Sequence, residues 1–292
     1  MDIQIGDEKL KLPENFRCYC GTEYKLTSAI TNGVYIGKKV SYPTCDVVVK
    51  FSNPKHNLKY KRFHNEIATL EKLSHKNISK LYGNGILNCS GLNLEFIVIQ
   101  KGYANMWQYF KDDKFNHART KYMQKSKFEK AKFIIDCAND ILESLDHLHS
   151  KGFIHRDIKP ANFVFQDNKF NSIFMIDLGL SKYTGNTDDD LSRIFSDITE
   201  HDEVVGPRNI LSPELIKYSS DKTTIVDYRS DLWQFSRVLW FLVTGELSTG
   251  RPSKYKDPTD GRITEIVDGL LHENPDERSP SSINEIKTIL NS

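Results

Sequence analysis

Net charge is almost absent from this 292-residue chain, whose 40 Lys and Arg face 39 Asp and Glu, leaving +1 at neutral pH. That balance excludes a broad electropositive field for gripping nucleic acid or an anionic membrane. Long apolar runs are also missing: none approaches a membrane span, and the amino terminus carries no apolar signal core. Cysteine is scarce, with Cys18, Cys20, Cys45, Cys89 and Cys137 making an odd count of 5 without paired metal spacing. Cys18-x-Cys20 alone is a thin zinc signal, and free thiols in a reducing compartment suit these spacings better. Internal repeats, linkers and low-complexity stretches are lacking too. These absences point to a soluble, intracellular, cytoplasmic chain that neither binds nucleic acid nor spans a membrane.

What is present is concentrated between His155 and Gly179. His155-Arg156-Asp157-Ile158-Lys159-Pro160-Ala161-Asn162 is followed by Asp177-Leu178-Gly179. Phosphoryl transfer from a nucleotide needs a carboxylate to orient and deprotonate a hydroxyl, a cation near the γ-phosphate, and oxygen ligands for Mg²⁺. Asp157, Lys159 and the pair Asn162 and Asp177 supply those parts, and Mg²⁺ prefers a few protein oxygens alongside water and phosphate. A polar loop before a turn is the competing explanation, so context decides. Phe128, Ala131, Ile134, Ile135, Ala138, Ile141, Leu142, Leu145 and Leu148 recur at helical spacing, and Gly152 closes the run. Phe153-Ile154 and Phe163-Val164-Phe165 read as short buried strands flanking the loop. Ser172-Ile173-Phe174-Met175-Ile176 reads as a strand that delivers Asp177 at its end.

A helix, a catalytic loop on a strand pair and a metal-binding Asp at a strand end resemble the C-terminal lobe of eukaryotic-type serine/threonine protein kinases. The resemblance implies the α+β class and a two-lobed protein kinase fold, with a small antiparallel-sheet N-lobe bearing one helix and a large, mainly helical C-lobe. It implies one kinase domain over residues 24–289, with an N-terminal arm at 1–23 that has no strong periodicity, an N-lobe at 24–101 and a C-lobe at 102–292. Val47-Val48-Val49-Lys50 then resembles the strand whose lysine grips the α/β-phosphates of ATP. Phe63, Ile67, Leu70 and Leu73 form one apolar helical stripe, and the family spacing to His75 selects Glu66 over Glu71 as the partner of Lys50.

The same resemblance assigns the nucleotide pocket to Val34, Val48, Ile99, Gln100, Gly102 and Val164, together with Lys50, Asn162 and Asp177. Val34, Val48 and Val164 would sandwich the adenine, and Ile99 would guard the back of the pocket ahead of the hinge Gln100-Lys101-Gly102. Leu70, Leu81, His155 and Leu178 stand where the family stacks side chains to link its lobes. Ser212-Pro213-Glu214 takes the place of the motif that ends the activation segment, and Arg278 the place of the arginine that pairs with its glutamate. The helix from Ser230 through Val243 is apolar nearly all round, which marks a buried helix. Its Asp231 would brace the catalytic-loop backbone, since a buried charge survives only with a partner.

Two departures from the family pattern stand out. Aligning Leu26 and Val34 puts Thr27, Ala29 and Asn32 where three glycines stand in the phosphate-covering loop, leaving only Gly33 nearby. Glycine allows positive φ and close backbone approach, so this loop is expected to be stiffer, with Asn32 partly compensating through its tolerance of left-handed geometry. Pro207, after Gly206, replaces the threonine that would hydrogen-bond to the catalytic Asp and Lys.

The expected activity is ATP- and Mg²⁺-dependent transfer of phosphate to serine or threonine hydroxyls of protein substrates, autophosphorylation included. Asp157, Lys159, Lys50 and Glu66 form the catalytic set, and Asn162 and Asp177 the metal ligands. Two alternatives come from other classes: a pseudokinase scaffold, motivated by the eroded loop, and a small-molecule phosphotransferase of the aminoglycoside or choline type. Regulation would come from a partner or from a phosphate on Ser192, Ser196 or Thr199 pairing with Arg156. A carboxylate from Asp188-Asp189-Asp190 or from Glu200, Asp202 and Glu203 could fill that role permanently. Arg251 through Pro258 reads as a loop.

Overall fold

The computed structural model describes residues 2–89, 91–185, 209–247 and 253–292. The chain forms two compact units, one of Met1–His75 with Ser79–Lys101 and one of Lys76–Ile78 with Gly102–Ser292.

The first unit runs β1 (Asp2–Ile5), β2 (Glu8–Lys11), β3 (Phe16–Arg17), β4 (Glu23–Thr31), β5 (Val34–Lys39), β6 (Asp46–Phe51), α1 (Asn57–Lys72), β7 (Leu81–Cys89) and β8 (Leu92–Gln100). β1 and β2 make a hairpin of their own, and the rest form an antiparallel sheet in the order β3-β4-β5-β6-β8-β7. Strand β6 shows why. Its Val47, Val49 and Phe51 alternate with less buried neighbours, the period-2 pattern of a pleated strand. They enter a core with Phe16, Tyr24, Tyr35, Phe96 and Val98, each such side chain contributing about 1.5–3 kcal/mol on burial.

Residues 1–23 are more than an arm without periodicity. They carry β1, β2 and β3, and Ile3, Ile5, Leu12 and Phe16 belong to the same core cluster as the sheet. The signal was there in the alternation of Ile3 with Ile5 and of Leu10 with Leu12. Each stretch is only four residues long, too short to stand out as a strand.

The second unit runs β9 (Ala104–Asn105), α2 (Met106–Lys111), α3 (Asn116–Gln124), α4 (Lys127–Ser150), β10 (Phe153–Ile154), β11 (Phe163–Phe165), β12 (Ile173–Met175) and β13 (Lys182–Tyr183). Helices α5 (Pro213–Ser220), α6 (Tyr228–Thr244), α7 (Arg262–Leu270) and α8 (Ile283–Asn291) complete it. Helix α4 opens on a capping box between Ser126 and Glu129, which satisfies donors the first turn leaves unpaired. Its Ala131, Ile134, Ala138, Ile141, Leu142, Leu145 and Leu148 are buried, whereas Phe128, counted on the same stripe, is 77% exposed. It lies in the first turn, before the helix enters the core. Gly152, just beyond the end of α4, takes φ +79°. Helix α6 is buried on almost every side and ends at Gly245 in left-handed geometry, with its N–H on Phe241 O at 2.7 Å. Among the described residues no helix is long and apolar enough to cross a membrane.

Candidate active site

The loop between β10 and β11 is held from behind by α6. Asp231, fully buried, accepts the backbone N–H groups of His155 and Arg156 at 2.8 Å each and meets His149 Nε2 at 2.8 Å. Burial alone would push its carboxyl up, but the hydrogen bond and charge of His149, with help from His155, outweigh that and leave it below the usual carboxylate value. Gln234, one helical turn further on the same face, accepts from Ile158 N at 3.0 Å and donates to Arg156 O at 3.2 Å. This second brace went unread in the sequence, although its spacing from Asp231 carried the signal. Thus fixed, Arg156 adopts φ +66°, a left-handed conformation uncommon outside glycine.

Inside this loop the charged groups converge. Asp157 is 5% exposed, and its Oδ2 accepts from Lys159 Nζ at 2.6 Å and from Asn162 Nδ2 at 3.0 Å. Burial raises the Asp157 carboxyl above its ordinary value, while the Lys159 charge and hydrogen bond oppose the rise. Asn162 Nδ2 also donates to Asp157 O at 2.8 Å. With both amide protons committed to Asp157, Asn162 keeps Oδ1 as an acceptor. Ile176 N donates to Asn162 O at 2.8 Å, so the end of β12 and Asp177 come up beside the loop. Asp177 is exposed and takes φ +62°. An amide oxygen and a carboxylate in adjoining loops are hard oxygen donors, the kind Mg²⁺ takes alongside water and phosphate.

The first unit holds the other expected residues. Lys50 Nζ lies 2.5 Å from Glu66 Oε1, joining β6 to the buried face of α1. Glu71 instead accepts from Asn84 Nδ2 at 3.3 Å. Val34 pairs with Lys50 across β5 and β6, and Val48 pairs with Ile99 across β6 and β8. Val34 and Val48 are half-buried, and Ile99 is buried. Gln100 N donates to Lys80 O at 2.9 Å. In the second unit, Gly102 packs so closely on β11 that an added Cβ would lie 2.2 Å from Val164 Cγ1. Cys18 and Cys20 are free thiols, the first buried and the second exposed. Among the described residues, no group of three or more His, Cys, Asp or Glu side chains could hold a metal ion.

A protein kinase domain profile matches residues 32–292. The chain belongs to the protein kinase family. It is 34% identical over 110 residues to serine/threonine-protein kinase PKH2 of Saccharomyces cerevisiae, a match covering 37% of this chain and 10% of that one. It is 27% identical over 253 residues to a probable casein kinase II subunit alpha homolog of Encephalitozoon cuniculi, covering 83% and 66% respectively. With serine/threonine-protein kinase PknB of Mycolicibacterium smegmatis it shares 31% over 112 residues, covering 38% and 16%. These matches span between 10% and 66% of the relatives' lengths.

In the β4–β5 hairpin, where the phosphate-covering loop is expected, the ladder is interrupted between Leu26 and Ser28 and between Ala29 and Thr31. Asn32 does not supply the left-handed residue expected of it. Gly33 does, at φ +76°. The Asn32 side chain reaches the amino-terminal hairpin instead: Gly6 N donates to its Oδ1 at 2.8 Å, and its Nδ2 donates to Gly6 O at 2.7 Å. Gly33 N donates to Gln4 O at 3.0 Å, and Tyr35 Oη both accepts from Gln4 N at 2.6 Å and donates to Gln4 O at 3.1 Å. The β4–β5 turn is therefore tied to the strand pair that precedes the family match.

At the start of α5, Glu214 receives a two-pronged ion pair from Arg278, Nη1 to Oε1 and Nη2 to Oε2, both at 2.7 Å. Ser230 Oγ adds a hydrogen bond to Glu214 Oε1 at 2.6 Å. Arg156 Nε donates to Leu180 O at 2.8 Å. Thr187, Asp188-Asp189-Asp190, Ser192, Ser196, Thr199, Glu200, Asp202, Glu203 and Gly206-Pro207-Arg208 lie outside the described residues, as do Arg251-Pro252. Beyond these, Lys254–Lys256 form a short 3₁₀ turn.

Proposed function

We propose that this chain is an ATP-dependent serine/threonine protein kinase that phosphorylates protein substrates and itself. The observation that carries the reading is the Asp157 carboxylate, buried, pushed up in pKa and gripped by Lys159 and Asn162 within a loop anchored on Asp231. A general base works best when its pKa moves toward the operating pH. Asp157 orients the acceptor hydroxyl and takes its proton late in the transfer. Lys159 offsets charge on the transferring γ-phosphoryl group, and its place two residues after Asp157 favours serine and threonine acceptors. Lys50, fixed by Glu66, anchors the α/β-phosphates. Asn162 and Asp177 would supply oxygens for Mg²⁺, which when bound would offset charge on the phosphates. Val34, Val48, Ile99, Gln100, Gly102 and Val164 belong to the nucleotide pocket in this reading. Residues 24–101 would be the N-lobe, 102–292 the C-lobe, and the cytoplasm the working compartment.

Charge positioning dominates phosphoryl transfer, and the chain retains every charged residue it requires. The reading therefore tolerates the missing loop glycines, with weakened nucleotide affinity. A non-catalytic scaffold remains the rival, favoured only by the loop composition and Pro207. The test is transfer of γ-phosphate from ATP with Mg²⁺, to the protein itself and to a generic basic protein, by wild type and Asp157→Asn. Transfer by wild type alone is expected, with nucleotide binding kept in the variant. Equal turnover by both would overturn the role of Asp157, and ATP binding without transfer by either would install the scaffold reading.

A further inference from the structure

Away from the phosphotransfer loop, the second unit contains a cavity of about 700 Å³ between α2, α3, the first half of α4 and the β11–β12 turn. None of the residues assigned above to catalysis or nucleotide binding lines it. A cavity of this size falls within the ~300–1,000 Å³ range of small-molecule sites. Two phenols are among the polar groups that line it. Tyr109 is 3% and Tyr122 5% exposed, and neither hydroxyl has a hydrogen-bond partner among the described residues. Neither oxygen is shut away from the open space of the cavity, so each is free to donate to an occupant. Burial pushes the Tyr109 phenol up to about 12 and raises that of Tyr122 as well, so both remain donors near neutral pH.

The wall is aromatic. Phe170 sits at φ +55° in the β11–β12 turn, its ring held 4.7 Å from Tyr109, 5.6 Å from Tyr103 and 6.2 Å from Phe115. A bulky side chain in left-handed geometry is held there by its surroundings. The rim is cationic. Lys125 and Lys132 are matched by Glu129 and Asp136, but exposed Lys114, Lys121 and Lys169 have no ion-pair partner among the described residues. Donors without acceptors, unmatched positive charge and ring faces select a flat, anionic occupant.

We propose that this cavity is a second ligand site that takes a small aromatic carboxylate, its ring against Phe170 and its oxygens toward the Tyr109 and Tyr122 hydroxyls and the lysine rim. The site does not depend on the chain's being an active kinase. The probe is 1-naphthoate, titrated into the full chain by calorimetry beside neutral 1-naphthylmethanol, with and without saturating ATP. Naphthoate should bind and the alcohol should bind at least about tenfold more weakly, because hydrogen bonds to a charged group are the stronger kind. The paired change Tyr109→Phe with Tyr122→Phe keeps both rings yet should weaken naphthoate about tenfold or more. The exposed triple change Lys114→Met, Lys121→Met, Lys169→Met should do likewise, and ATP affinity should be unchanged in both variants. Equal binding of acid and alcohol, affinity indifferent to both variant sets, or competition by ATP would each overturn the proposal. So would a chain that takes an acidic aromatic peptide on this face but no naphthoate.

Discussion

Replacing Asn32 by alanine removes both hydrogen bonds that its side chain makes to Gly6, at 2.8 and 2.7 Å, and leaves the backbone of the β4–β5 turn alone. A hydrogen bond contributes about 0.5–1.5 kcal/mol net, and these are exposed to competing water, so about 1–2 kcal/mol of local stability should go. That corresponds to about a 5- to 30-fold rise in the population of locally opened turn. The assay is native-state hydrogen exchange at the Gly33 amide, which donates to Gln4 O at 3.0 Å across the same junction. Gly33 and the β1–β2 amides should exchange faster by that factor, while amides in α6 stay unchanged, because sub-global opening is independent of the global transition. Nucleotide affinity measured on the same variant reports whether the tether matters to ATP binding. Unchanged exchange at Gly33 would refute the claim that Asn32 ties the turn to the amino-terminal hairpin.

The second unit was the more legible part of the sequence. Helix α4 announced itself through an apolar stripe long enough to average over exceptions such as Phe128, and α6 through being apolar nearly all round. Asp157, Lys159, Asn162 and Asp177 stood out because the chemistry proposed for them needs such groups within one short stretch of chain. Lys50 and Glu66 needed the family spacing, since many exposed lysines follow apolar strands.

What stayed illegible shares one physical cause: it depends on partners distant in sequence. Nothing near Asn32 says that its amide will meet Gly6, and the alternation of β1 and β2 is too brief to separate from chance. Gln234 lies on the face that Asp231 marks, yet its two hydrogen bonds run to backbone groups that no side-chain pattern reports. The Tyr109 and Tyr122 phenols give no sequence signal of the cavity that they line. Only packing shows which face of a ring meets a core and which a cavity.

Gly102→Ala would drive a Cβ to 2.2 Å from Val164 Cγ1 and 2.8 Å from Phe165 O, and such overpacking costs about 1–3 kcal/mol. A lowered urea midpoint and weaker ATP binding are expected; an unchanged midpoint would show that the backbone simply shifts aside. Glu214→Gln leaves Arg278, 4% exposed, without its carboxylate partner. Breaking a buried pair from one side costs about 3–5 kcal/mol, read as a drop in urea midpoint at neutral pH. The pH dependence of that drop separates charge from mere packing. Burial pushes the Glu214 carboxyl up, but the Arg278 and Ser230 hydrogen bonds and the Arg278 charge bring it below its ordinary value of 4.5. A carboxyl lowered by folding stabilises the native state fully above its unfolded value, and that contribution fades as pH falls through the lower native value. The gap between wild type and Glu214→Gln should therefore hold constant above about pH 5 and shrink steadily below 4.5. A gap that persists undiminished in acid would mean that the shape of the Glu214 side chain, and not its charge, holds Arg278 in place.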